Sequence, residues 1–111
     1  MSNREPEGAG LSDRKIVFAS FRPKTGAAEP LDGLLRWMAE HTRNEEGCVQ
    51  YDLFRVDGDD VSYHLFERYR DAEALDAHRA ADYYKRYRAE VADLLTQPIE
   101  VLVLNEVDVQ A

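Results

Sequence analysis

With one cysteine, Cys48, this chain of 111 residues can build neither an internal disulfide nor a multi-cysteine metal cage. A reducing compartment, the cytoplasm, is the expected setting. No stretch approaches the roughly 18 consecutive apolar residues needed for a membrane-crossing helix. Positive charge is also scarce. Fourteen Lys and Arg stand against 22 Asp and Glu, and the formal net charge of -8 repels both a phosphate backbone and an anionic lipid surface. Nucleic acid and membranes are therefore not expected as partners. Three histidines, His41, His64 and His78, include no i, i+4 pair that would set two metal ligands on one helix side. Also missing are a Gly-x-Gly-x-x-Gly turn after a strand, a Walker-type lysine loop and a Gly-x-Ser-x-Gly elbow. No metal and no cofactor is expected.

What remains is enough for one core: 44% of residues are hydrophobic, and 32% are charged to keep the surface in water. Residues 1–13 are rich in Glu, Gly and Pro and lack the apolar centre of a secretory signal, so they read as a flexible tail. Residues 14–111 read as a single domain.

Ile16, Val17, Phe18 and Phe21 make a short apolar run ended by Pro23, which predicts a strand buried on both faces. Leu31, Leu34, Leu35, Met38 and Thr42 recur at helical steps, and the helix should end near Asn44, where Gly47 supplies a positive φ. From Cys48 to Val56 the period becomes two, with Val49, Tyr51 and Leu53 on one side. Asp57-Gly58 then signals a hairpin into Val61–Tyr69. Asp71 is a natural N-cap for a short helix carrying Ala74, Leu75 and His78. A longer helix follows, with Tyr84, Tyr87, Val91, Leu94 and Leu95 on one side, and Gln97-Pro98 stops it. Residues 99–107 supply a last strand, apolar on both faces.

That order, βαββαβ, predicts an α+β, ferredoxin-like fold: a four-stranded antiparallel sheet with its helices on one face. The opposite face, including Phe54, His64 and Phe66, is left apolar, which predicts a homodimer formed sheet against sheet.

Chemistry must come from aromatic and titratable side chains. Trp37, Tyr51, Tyr63, Tyr69, Tyr83, Tyr84 and Tyr87 either fill the core or line a cleft for a flat, partly polar ligand between helices and sheet. Glu67 shares its strand face with Tyr63, Leu65 and Tyr69, where desolvation disfavours its charge unless a donor is near; His78 is the expected donor. A Glu67–His78 pair either fixes helix to sheet or moves a proton. Cys48 reads as a small apolar residue, and His41 and the charges of residues 79–90 as solvated helix surface.

Three short segments, in order, resemble the antibiotic biosynthesis monooxygenase domain family. They are Gly47-Cys48-Val49-Gln50-Tyr51, Glu67-Arg68-Tyr69 and Ala74-Leu75-Asp76-Ala77-His78, and the family pattern is Gly-Cys-x-x-Tyr, Glu-x-Trp and Ala-Leu-x-x-His. The likeness spans roughly residues 15–107. It implies a dimeric α+β barrel and oxidation of a quinol or phenolic aromatic by O₂ without metal or flavin. It also implies His78 as proton acceptor, Glu67 as its orienting partner, and a substrate pocket shaped by Trp37, Tyr51, Tyr69, Tyr83 and Tyr84. Tyr69 stands where the family usually has Trp, and Tyr83 where many members have a second His. A haem-degrading branch places Asn, Trp and His where Ala19, Tyr69 and Arg88 stand here, so haem degradation is not expected. Two other functions remain open: a non-catalytic module that binds a small aromatic, and an isomerase using the same pocket.

Overall fold

The computed structural model describes residues 13–110. The tail expected over residues 1–13 thus lies almost wholly outside the described residues. The elements run β1 (Lys15–Phe21), α1 (Ala28–Thr42), β2 (Cys48–Val56), β3 (Ser62–Tyr69), α2 (Ala72–Ala80), α3 (Asp82–Ala92) and β4 (Glu100–Leu104). The strands form one antiparallel sheet in the order β2-β3-β1-β4, the ferredoxin-like arrangement predicted from the sequence.

Period-two alternation sorts the sheet into two faces. Toward the helices point Tyr51, Glu67, Val17 and Val103 in one cross-strand row and Leu53, Leu65, Ala19 and Val101 in the next. On the open face the rows are Asp52, Phe66, Phe18 and Leu102, flanked by Phe54, His64 and Ser20. Leu31, Leu35, Met38 and Thr42 of α1 are wholly buried on the first face, as their spacing requires. The end of α3 is tied back to the end of β1, since Lys24 N–H donates to the Leu94 carbonyl at 2.8 Å and Thr96 N–H to that of Arg22 at 2.9 Å. Asp71 caps α2 by accepting from Ala74 N–H at 2.8 Å, satisfying a donor the helix itself cannot.

Four local expectations are corrected. A bulge at Cys48–Gln50 inserts one residue against β3, so Val49 is 53% exposed while Cys48 turns inward to pack beside Tyr69 and Ala74. Gly47 does not have a positive φ; it is needed for close approach, because a Cβ there would lie 2.4 Å from the Cβ of Ala74. Its carbonyl accepts Arg70 N–H at 2.9 Å, which clamps the α1–β2 loop against the start of α2. In β1 the face of Val17, Ala19 and Phe21 is buried, while on the other face Ile16 is buried and Phe18 and Ser20 are only half-buried. Finally, β4 covers only Glu100–Leu104, and all five residues are exposed, since it is an edge strand that the helices do not cover.

Candidate active site

The α1–β2 clamp, the inner face of β3 and the helix pair α2–α3 converge on His78. It is only 2% exposed, and four tyrosine rings surround it: Tyr84 at 4.9 Å between centroids, Tyr69 at 5.2 Å, Tyr51 at 6.1 Å and Tyr83 at 6.4 Å. Nδ1 lies 2.9 Å from Oε2 of Glu45, which projects from the loop after α1. A carboxylate only accepts, so Nδ1 carries the proton and Nε2 is left with its lone pair. Burial holds the imidazole below its usual pKa, although the Glu45 bond pulls the other way, so at neutral pH the ring is uncharged. The Tyr83 hydroxyl also donates to Oε2 of Glu45, giving that one oxygen two donors.

Glu67 is 5% exposed, and its Oε1 accepts the Tyr69 hydroxyl at 2.7 Å. Burial raises its pKa to about 7, against the lowering effects of that bond and of the Arg79 charge. The expected Glu67–His78 hydrogen bond is not formed. Glu45 is the imidazole's partner and Tyr69 is Glu67's, so the role of orienting His78 passes from Glu67 to Glu45. Both groups nevertheless line one cavity, with Tyr51, Tyr84 and Tyr87, closed on the outer side by Arg79, Arg88, Ile99 and Val101. The cavity is smaller than the cleft expected for a flat ligand. It leaves about 20 Å³ for the centres of water molecules, room for a water or a dioxygen.

The remaining predicted residues divide by position. Tyr69 is fully buried behind Glu67, and burial keeps the hydroxyls of Tyr51, Tyr69 and Tyr83 protonated well past neutrality. Tyr83 contacts Glu45 without lining the cavity. Trp37 does not line it: half-buried against the core, its ring packs between α1 and α3, 4.4 Å from His41 and 6.2 Å from Tyr83, with the Arg86 guanidinium 5.6 Å from its centroid. Cys48 has its thiol pushed up to about 11 by burial, which suits an inert packing residue. Glu45, Arg79 and Arg88 escaped the sequence reading, Glu45 because it looked like part of a helix-breaking loop and the arginines because they sat in a charged, solvated stretch. Among the described residues, no group of three or more His, Cys, Asp and Glu side chains is placed to hold a metal ion, and no helix is long and apolar enough to cross a membrane.

The Glu67 shift has a measurable consequence. Between pH 4.5 and about 7 the folded chain holds a proton there that the unfolded chain releases, so stability falls as pH rises through that window, by roughly 3 kcal/mol in all. His78 acts with the opposite sign, costing stability as pH falls below 6.5. Glu67→Gln keeps an acceptor for Tyr69 and removes one titration. Denaturant midpoints measured across this range should decline with rising pH less steeply in the variant, which should be the more stable protein above pH about 7. Equal slopes would show that Glu67 is ionised in the folded chain.

The model of the antibiotic biosynthesis monooxygenase family matches residues 15–90. The chain is 46% identical over 93 residues to "Putative monooxygenase Rv0793" of Mycobacterium tuberculosis, covering 83% of this chain and 90% of that protein. It is 31% identical over 87 residues to "Putative monooxygenase YcnE" of Bacillus subtilis, covering 78% and 92%. The solved structure of Rv0793 superposes with a TM-score of 0.83 at 43% identity over 88% of this chain and 99% of that one. Family model, sequence identity and superposition agree, and the chain belongs to the antibiotic biosynthesis monooxygenase family.

Proposed function

We propose that this protein is a cofactor-independent monooxygenase that oxidises a quinol or phenolic aromatic with O₂. The observation that carries the reading is the buried, uncharged His78, its Nδ1 tied to Glu45 and its Nε2 free to accept a proton beside Glu67. In the proposed reaction Nε2 takes the substrate hydroxyl proton. The anion passes one electron to O₂, the resulting radical and superoxide combine at a ring carbon that carries hydrogen, and the imidazolium of His78 returns its proton to the peroxide anion to give a hydroperoxide. Loss of water from that hydroperoxide leaves a carbonyl, so one oxygen atom enters the product and the other leaves as water. Tyr51 supplies a protonated hydroxyl and, with Tyr84, ring faces around the developing charge, Tyr69 holds Glu67 from behind, and Tyr83 steadies Glu45. Trp37 has at most an indirect part, through Tyr83.

An aromatic ring exceeds the closed cavity, so binding requires Tyr84 and Arg88 to swing outward. Both sit on α3, joined by a 3.0 Å hydrogen bond from Arg88 Nη1 to the Tyr84 hydroxyl, and Arg88 is exposed. A second reading is favoured by Glu67, whose pKa of about 7 puts two proton-exchanging groups at one cavity, the arrangement an isomerase needs. Product mass separates the two, since an isomer gains no oxygen.

The proposal includes a homodimer through the open sheet face. Phe54 and Leu102 are more than half exposed there, with Phe18 and Phe66 between them, a patch that water would leave uncovered only at a cost. Light scattering should give twice the chain mass of 12.7 kDa, and Leu102→Asp should yield the monomer; a wild-type monomer at micromolar concentration refutes this part. For the chemistry, O₂ uptake should depend on a supplied naphthalene quinol or naphthol. It should fall by about 100-fold or more in His78→Ala that retains its circular dichroism. Undiminished uptake in that variant removes His78 from the reaction.

A further inference from the structure

Ten arginines lie among the described residues, and seven of them are within 4.0 Å of a carboxylate oxygen. In a chain with 22 acidic residues against 14 basic ones, that is the expected fate of a guanidinium. The three without such a partner among the described residues are Arg22, Arg79 and Arg88, and two of these line the outer wall of the His78 cavity. Arg88 spends one N–H on a neutral acceptor, the Tyr84 hydroxyl, and lies over that ring at 5.9 Å. Arg88 and Ile99 also border a second, open groove of about 340 Å³, lined by Val91, Ala92, Leu95 and Pro98. Cavity and groove therefore meet at one point, with an uncommitted guanidinium at the junction.

We infer that the ligand of this site is an aromatic acid, its carboxylate held by Arg79 and Arg88 at the mouth while its ring enters toward Nε2 of His78. A guanidinium presents N–H donors in a fixed fork that matches a carboxylate, and exchanging the Tyr84 hydroxyl for a charged acceptor strengthens the bond to Arg88. That exchange frees Tyr84 to move, so the anion assists the opening that any aromatic ring requires. Of the cavity's other acid and base groups, His78 is uncharged and Glu67, with a pKa of about 7, is only partly ionised at neutral pH, so the two arginine charges are offset only in part. The chemical class of substrate deepens the oxygenase reading and depends on it only for where the hydroxyl points.

Binding isotherms for 6-hydroxy-2-naphthoate and 2-naphthol, measured without oxygen, test the inference on the same ring and hydroxyl with and without the carboxylate. The acid should bind about tenfold or more tightly in the wild type, with the margin shrinking as salt is added. Arg79→Gln/Arg88→Gln should abolish that margin, and Arg22→Gln, remote from the cavity, should keep it. Equal affinities in the wild type, a margin that survives in the double variant, or no binding of either compound would overturn the inference. A margin that behaves as expected without oxygen uptake in air upholds the acid site and refutes the oxygenase reading alone.

Discussion

A single hydrogen bond, from Nδ1 of His78 to Glu45, organises the site. It joins the loop after α1 to helix α2, and it fixes which ring nitrogen carries the proton. A buried imidazole with no such partner would be free to rotate or to take the other tautomer, and Nε2 would have no assured lone pair. The bond in turn requires the loop to sit close to α2, which Gly47 allows: any side chain there would collide with Ala74. Gly47 and His78, far apart in sequence, thus serve one geometric requirement.

Around that bond the interior is unusually phenolic. Tyr51, Tyr69 and Tyr87 are buried, and Tyr83 and Tyr84 half-buried, within a few ångströms of each other and of His78. Buried hydroxyls demand partners, and several find them in carboxylates: Tyr69 in Glu67, Tyr83 in Glu45, Tyr63 in Asp32 at 2.8 Å. The price of this arrangement is Glu67, kept in a place where its charge is poorly solvated and its proton easily shared. Burial thus holds a group whose charge destabilises the fold, the kind of perturbed carboxyl that marks candidate functional sites.

The fold was legible because its signals are local. Helical spacing from Leu31 to Thr42, the Asp57-Gly58 turn and the Asp71 cap each act within a few residues; the last helix, expected to carry Leu94 and Leu95 up to a stop at Gln97-Pro98, instead ends at Ala92, with Leu95 bridging to Pro23. That His78 and Glu67 face inward was legible for the same reason, since one lies on an inward helix face and the other on an inward strand face, and both line the cavity. Their partners were not, because Glu45 and His78 are 33 residues apart and no spacing rule joins a loop to a helix. The bulge at Cys48–Gln50 likewise defeats strict alternation, and the arginines at the mouth look like any others until their missing carboxylates are seen in three dimensions. Trp37, read as a pocket residue, packs instead between α1 and α3, tilted against His41 with the Arg86 guanidinium over its ring, away from the cavity lining.

The account stands on an uncharged His78 with its proton on Nδ1. Nitrogen-15 correlation spectra of the histidine rings, recorded across a pH titration, read both properties directly. The account requires the neutral Nδ1–H form at neutral pH and a midpoint below 6.5 for His78. An Nε2–H tautomer, or an imidazolium persisting at neutral pH, would contradict it.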